Sequence, residues 1–267
     1  MSTFNIEIDA TQLFFRKFYI PSHGHVFDAR TVQTVALAKG SYNIQWASGY
    51  FADFVFQVTA EGTVDYDPSC DGFLQGRGTS RLSMPGLEVT LDAQYIALQQ
   101  PFGVLLVGEF TNDDWIVKKT VRLLPASHYL VQQGSGLVSS FEFKLGFDGC
   151  FQYNAAYDAS TGGFLAGAGT STLTFLGYPV LLDGTRVNGM GVHFGNCWGL
   201  KFASNGVQFA HLLPMGTPYF VQVESGGLTD AGVHVGLDGT LECVTSGTYV
   251  LRRDTFHGLA RLGIRKH

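Results

Sequence analysis

Tyr42-Asn43-Ile44-Gln45-Trp46-Ala47-Ser48-Gly49 returns, altered but aligned, as Tyr129-Leu130-Val131-Gln132-Gln133-Gly134-Ser135-Gly136 and again as Tyr219-Phe220-Val221-Gln222-Val223-Glu224-Ser225-Gly226. Tyr, Gln, Ser and Gly hold their places in all three. A recurrence at this spacing is the signature of a fold made from repeated units.

Downstream of each occurrence runs an alternating apolar strand that ends in a turn. Phe54, Phe56 and Val58 precede Glu61-Gly62-Thr63; Phe141, Phe143 and Leu145 precede Asp148-Gly149-Cys150; Val233, Val235 and Leu237 precede Asp238-Gly239-Thr240. Side chains of a strand alternate between its faces, and Gly accepts the positive φ of a tight hairpin, so three equivalent hairpins are predicted. Gly62, Gly149 and Gly239 set the unit at about 87 to 90 residues.

The second half of the unit matches in two places, Phe73 to Leu82 and Phe164 to Leu173, with a fainter echo at Gly258-Leu259-Ala260-Arg261-Leu262. The strand expected next, seen at Leu87 to Ala93 and at Pro179 to Gly184, is found at the other end of the chain as Phe4-Asn5-Ile6-Glu7-Ile8-Asp9-Ala10. This offset suggests a ring whose first and last strands pair, which would leave no open sheet edge. The expected organisation is one all-β domain over residues 1–267, with repeats at approximately 31–115, 120–205 and 208–267, the last completed by residues 1–20.

Half a unit, about 43 to 45 residues and four strands, has the size of a propeller blade. The leading expectation is therefore a pseudo-threefold, six-bladed β-propeller closed by its terminal strands. Three barrel- or sandwich-like lobes are the alternative. No stretch shows sustained helical apolar spacing.

Composition narrows the function classes. Asp and Glu number 22 against 17 Lys and Arg, a net charge of −5, which argues against a surface for nucleic acid. Only 15% of residues are charged and 22 are Phe, so a large interior or a subunit interface follows, and a homo-oligomer is an expected state. No apolar run reaches the ~20 residues of a spanning helix, so no membrane partner is expected. Met1 to Glu7 lacks a basic start and an apolar core, so the expectation is a cytoplasmic protein. Cys70, Cys150, Cys197 and Cys243 have neither metal-ligand nor redox spacing and read as free thiols.

No nucleophile elbow, zinc-helix motif, phosphate loop or dinucleotide fingerprint is present, and neither a cofactor nor a metal is expected. His23-Gly24-His25 supplies too few ligands for a metal site. The acids of Asp65-Tyr66-Asp67-Pro68-Ser69-Cys70-Asp71-Gly72 suggest a calcium loop only faintly, and turn formation explains them more simply. Asp9, Asp92 and Asp183 share one position in the three units, as do Gln45, Gln132 and Gln222, and Tyr42, Tyr129 and Tyr219. These nine are the candidate ligand-binding residues; their plainer roles are turn formation, backbone hydrogen bonding and core packing.

Two functions fit. The first is a lectin-like binder of a small molecule or carbohydrate, with related pockets between copies. The alternative is a hydrolase, lyase or cyclase acting on a small, largely apolar substrate in a central cavity, with His193, His128 and His211 as acid–base groups. For an enzyme, the units should diverge at one place, and Asn188 to Trp198, which brings His193 near Cys197, is the best such stretch.

Overall fold

A computed structural model of the chain describes residues 2–21, 24–46, 51–97, 104–107, 116–133, 137–187, 192–194, 201–202, 206–223, 227–245 and 249–266. Strands hold 58% of the residues against 6% in helices, so the class is all-β with several sheets. The first stretch of chain carries β1 (Thr3–Asp9), β2 (Lys17–Ile20), β3 (His25–Asp28), β4 (Gln33–Ala38), β5 (Gly40–Trp46), β6 (Phe51–Val58), β7 (Val64–Tyr66) and β8 (Arg81–Ser83). The second carries β9 (Leu87–Asp92), the one-turn helix α1 (Gln94–Ala97), β10 (Leu105–Leu106), β11 (Lys118–Leu123), β12 (Ser127–Tyr129), β13 (Val131–Gln132), β14 (Phe143–Leu145), β15 (Phe151–Gln152), β16 (Leu165–Ala166) and β17 (Thr172–Phe175). The third carries β18 (Tyr178–Arg186), β19 (Val192–Phe194), β20 (Lys201–Phe202), β21 (Val207–Leu212), β22 (Tyr219–Val223), β23 (Leu228–Val235), β24 (Leu241–Val244), β25 (Tyr249–Phe256) and β26 (Leu259–Lys266).

Alternation decides which side of each strand is buried. β6 turns Ala52, Phe54, Phe56 and Val58 inward, each at most 4% exposed, while Asp53, Val55 and Gln57 face out. Phe141, Phe143, Leu145, Val233 and Val235 are buried likewise. At about 1.5–3 kcal/mol for each large apolar side chain fully buried, these residues drive the folding of their hairpins. Buried residues of all three stretches belong to one connected core.

The three Asp/Glu-Gly turns are present, with Gly62, Gly149 and Gly239 at φ of +77°, +76° and +78°. The turns close alike: Gly62 donates to the carbonyl of Thr59, Gly149 to that of Gly146 and Gly239 to that of Gly236.

The same pairing also recurs across the sheets. β1 lies between antiparallel β4 and parallel β8, β9 between antiparallel β11 and parallel β17, and β18 between antiparallel β21 and parallel β26. Phe4 faces Leu37, Leu87 faces Leu123 and Tyr178 faces Leu212 in equivalent registers. The remaining strands form the sheets β3-β2-β5-β6-β7, β12-β14-β15, β10-β13 and β20-β19-β22-β23-β24.

Neighbouring stretches dock through one kind of joint. The Leu13 side chain packs over Gly86 and the Ile96 side chain over Gly177; a Cβ on either glycine would lie within 2.6 Å of that side chain. The glycines have φ of +63° and +66°, so both the close approach and the backbone require them. Beside these joints Asp53 N–H donates to the Ala126 carbonyl at 2.6 Å, and Ser140 N–H to the Pro214 carbonyl at 3.3 Å.

Two expectations are corrected. The terminal strands do not pair: β1 has both edges occupied by β4 and β8, and β26 by β18 and β25. Residues 1–20 therefore do not complete the last unit, and the sheets pair within residues 3–83, 87–175 and 178–266. Nor do the sheets match propeller blades, which are meanders of antiparallel neighbours; each of these three sheets contains a parallel pair. Alternation reports which face a strand buries and says nothing of its partner, so a strand at the start of one unit reads equally well as the end of another.

Candidate functional site

The third stretch departs from the other two just before its last strand. In the first, Gly76 takes φ +103°, Gly78 N–H donates to the Val64 carbonyl, and the Thr79 hydroxyl ties down the Gly76 carbonyl at 2.7 Å. In the second, Gly167 takes φ +112°, Gly169 donates to Phe151, and Thr170 holds the Gly167 carbonyl at 2.9 Å. The third has Phe256 and Leu259 at the positions of the first glycine and the threonine. Phe cannot adopt that backbone without strain, and Leu has no hydroxyl to close the loop.

The chain instead makes a two-residue turn at His257 (φ +49°) and Gly258 (φ +80°), the positive pair of a type I′ hairpin. Eight residue pairs follow, from Phe256↔Leu259 to Tyr249↔Lys266. Leu241, the counterpart of Val64 and Phe151, has its carbonyl met by the Arg253 guanidinium at 3.4 Å.

The hairpin widens the sheet to the order β21-β18-β26-β25. Leu262 and Ile264 of β26 are buried, so Arg261, Gly263 and Arg265 project from the opposite, outer face. Arg252 is the register partner of Gly263 from β25, and Asp254 that of Arg261. On the other side Asp183 pairs with Gly263.

Arg186 reaches the same face through a register shift between Asp183 and Arg186. Strict alternation would place it with buried Val180 and Leu182; the shift re-aims it outward as the partner of Arg265. A cleft of about 430 Å³ results, with Gly263 in its floor and the four arginines, Asp183, Asp254 and Thr185 around it.

Arg261 alone among these arginines is paired. Its Nε and Nη2 donate to the two oxygens of Asp254 at 2.7 and 2.5 Å, and its Nη1 lies 3.6 Å from Asp183 Oδ2. The Thr185 hydroxyl and N–H both donate to Asp183 Oδ1, at 2.6 and 3.0 Å. The Arg261 hydrogen bonds hold the Asp254 carboxyl below its ordinary range. Burial pushes Asp183 upward, but the Thr185 hydrogen bonds and the charges of Arg261 and Arg186 outweigh it and leave that carboxyl lowered too. Among the described residues, the guanidiniums of Arg186, Arg252 and Arg265 make no hydrogen bond or ion pair, and the buried Nε of Arg265 has no partner.

The residues singled out from the sequence lie elsewhere or are already engaged. The hydroxyls of Tyr42, Tyr129 and Tyr219 donate to the carbonyls of Ala38, Leu124 and Leu213 at 2.7, 2.6 and 2.6 Å. Each clamps the chain where it leaves one sheet for another, as a tyrosine corner does in β-sandwiches. Asp9 accepts from Thr11 and pairs with Arg81, and Asp92 accepts from Gln94 N–H and pairs with Lys118. Asp183 alone of the nine lines the arginine cleft. Gln45, Gln132 and Gln222 are half-buried on β5, β13 and β22.

His128, His193 and His211 belong to three different sheets. His128 lies 3.3 Å from Glu142 and 3.9 Å from Asp53 beside a cleft of about 340 Å³. His211 Nδ1 bonds to the Leu176 carbonyl at 2.8 Å, with its ring against Phe209. The His193 side chain, His23, the His25 side chain, Cys197 and most of Asn188 to Trp198 lie outside the described residues. Cys70, Cys150 and Cys243 are unpaired thiols. Asp67 accepts from Ser69 N–H, and Asp71 pairs with Arg77, so both serve turns. No group of three or more potential metal ligands occurs among the described residues, and no described helix is long and apolar enough to cross a membrane.

A larger cleft, about 610 Å³, lies between the first and second stretches. The cations at this cleft are paired, Lys144 with Asp53 and Arg77 with Asp71, while Asp65 and Asp67 accept from the N–H groups of Tyr66 and Ser69. A cluster of arginines without hydrogen bond or ion pair among the described residues, not volume, therefore singles out the smaller cleft. Its signal in the sequence is the crowding of Arg252, Arg253, Arg261, Arg265 and Lys266 into the last hairpin. Neither a known protein family nor any curated protein or solved structure matches the chain.

Proposed function

We propose that this protein binds a small anionic ligand, without converting it, in the arginine cleft of the sheet β21-β18-β26-β25. We propose further that the three stretches are diverged copies of one unit, set side by side as sandwich-like lobes, of which the third carries the site.

The observation that supports the site is the set of three guanidiniums, Arg186, Arg252 and Arg265, which face one cleft without a hydrogen bond or ion pair among the described residues, in a chain of net charge −5. Guanidinium is planar, permanently charged and matched in geometry to carboxylate, sulfate and phosphate oxygens. Binding is favoured over turnover because, among the described residues, the lining offers no histidine, cysteine or lysine: arginine does not exchange protons near neutrality, and both carboxyls are lowered away from it.

Calorimetric titration with sodium sulfate, against sodium chloride at equal ionic strength, tests this reading. Saturable sulfate binding with Kd on the order of 1 mM is expected. Arg252→Gln and Arg265→Gln should each weaken it about tenfold, the equivalent of about 1.4 kcal/mol. Equal heats for sulfate and chloride, or unaltered binding by both variants, would refute it.

A further inference from the structure

Resting on that reading, we infer that the ligand is an acidic glycan, a chain of sugar rings bearing carboxylate or sulfate groups, rather than a single inorganic ion or a phosphate chain. Three features of the cleft lead there.

The first is the spread of positive charge. Arg261 and Arg265 stand four residues apart on β26, about 13 Å at about 3.3 Å per residue, with Arg186 and Arg252 on the flanking strands about 4.8 Å to either side. One oxyanion engages one or two guanidinium forks. A ligand with acid groups separated by the width of a sugar ring can meet several, and 430 Å³ lies in the range of sites for organic ligands.

The second is the pair of carboxylates among the arginines. Asp183 and Asp254 would repel a phosphate chain, which carries acceptors alone. A sugar offers hydroxyl donors beside its acid group, and a carboxylate accepts from these directly.

The third concerns aromatic rings. Among the described residues the cleft lining has none, so a nucleotide base would have no platform to stack on inside the cleft. At the rim, exposed Phe256 lies under the Arg261 guanidinium at 5.2 Å on the outer face of β25, where its ring can meet the apolar face of a sugar.

The experiment compares four probes by calorimetry on the full chain at physiological salt: a heparin hexasaccharide, a galacturonate hexamer, a linear polyphosphate of matched charge and a neutral cello-oligosaccharide. Each is titrated into the wild type and into Asp254→Asn, whose exposed side chain makes the change tolerable to the fold. At least one acidic oligosaccharide is expected to bind ten times or more tighter than polyphosphate, and the neutral sugar not at all. Asp254→Asn should weaken the acidic sugar and tighten polyphosphate, because it removes an acceptor from the one and a repulsion from the other.

Polyphosphate binding as tightly as every acidic sugar, or Asp254→Asn tightening both kinds of probe, would overturn the glycan assignment while sulfate binding kept the anion reading intact. Failure of all probes and of sulfate would overturn both.

Discussion

Arg186 and Arg265 are register partners across the parallel pair β18–β26, two cations set side by side on the outer face of one sheet. Like charges directly opposite each other destabilise a sheet, and the register shift that turns Arg186 outward creates this conflict where alternation would have avoided it. Such a pair is tolerable where an anion sits between the two.

Replacing one member should therefore separate stability from binding. Arg186→Gln removes a repulsion from Arg265 and an attraction to Asp183 and Asp254, so the stability of the ligand-free protein is expected to change by no more than a few tenths of a kcal/mol, the scale of exposed charge pairs. The substitution should also weaken sulfate binding about tenfold. Thermal unfolding in chloride and in sulfate at matched ionic strength reads both effects; a variant destabilised beyond this in chloride and equally protected by sulfate would contradict the arrangement.

Filling the floor tests the cleft without touching a charge. A Cβ at Gly263 would meet only the Arg252 carbonyl oxygen, at the ordinary contact distance of 3.9 Å, and Gly263 does not have the positive φ that would exclude other residues. Gly263→Val should fold and gain about 0.5–1 kcal/mol from lower backbone entropy in the unfolded chain and better strand propensity. Its branched side chain would occupy the space between Asp183 and Arg252, so saturable sulfate binding should disappear. Retained binding would place the ligand elsewhere.

The tyrosine corners predict a contrasting pattern. Tyr129 and Tyr219 are buried and donate to buried backbone, and Gln133 Nε2 also donates to the Tyr219 hydroxyl at 3.1 Å. Tyr129→Phe and Tyr219→Phe should each cost about 1–3 kcal/mol by leaving acceptors unsatisfied, with Tyr219 the costlier. Tyr42, half-buried and free to exchange its bond for water, should cost less. All three variants should bind sulfate like the wild type, since none of these tyrosines lines the cleft. Denaturant unfolding and calorimetry together distinguish this from a ligand-binding role.

How much of this was legible in the chain follows from which interactions are local. The turns at Gly62, Gly149 and Gly239 and the buried series Phe54, Phe56, Val58 are specified by residues within ten positions of one another, and they stand as the sequence predicts. The pairing of Ile8 with Leu82 spans most of the first stretch and is set by packing, which no local pattern records. That is why the terminal strands read as partners for each other.

The recurring Tyr side chains hold backbone carbonyls between sheets, and the recurring Asp side chains accept from a residue two positions on and lie against a cation; a fold's joints repeat with the unit as a ligand site would. The cleft, by contrast, joins residues far apart in the chain. Arg186 and Arg265 are 79 positions apart, and only the register shift brings them side by side.

The last prediction concerns alkaline pH, where the tyrosines set the limit. Burial first, and then the hydrogen bond its hydroxyl donates to Asp158 at 2.8 Å, push Tyr153 up to about 12, against about 10 in an unfolded chain. Burial raises Tyr129, Tyr178 and Tyr66 as well. The folded protein thus keeps protons that the unfolded chain releases. This contribution to stability is complete below pH ~10 and is lost as pH rises through about 12.

Tyr153 also receives the Ala168 N–H at 3.0 Å, and its partner Asp158 caps the turn Ala159–Thr161. Ionisation should therefore loosen the second stretch first. Ultraviolet titration of tyrosinate is expected to show a population titrating well above 10, with Tyr153→Phe removing one member and flattening the fall of stability between pH 10 and 12. Sulfate binding should be level from pH 6 to 10, because the arginines keep their charge and the cleft carboxyls are already ionised. A step in affinity near neutrality would mean that a histidine takes part in the site, contrary to the lining described.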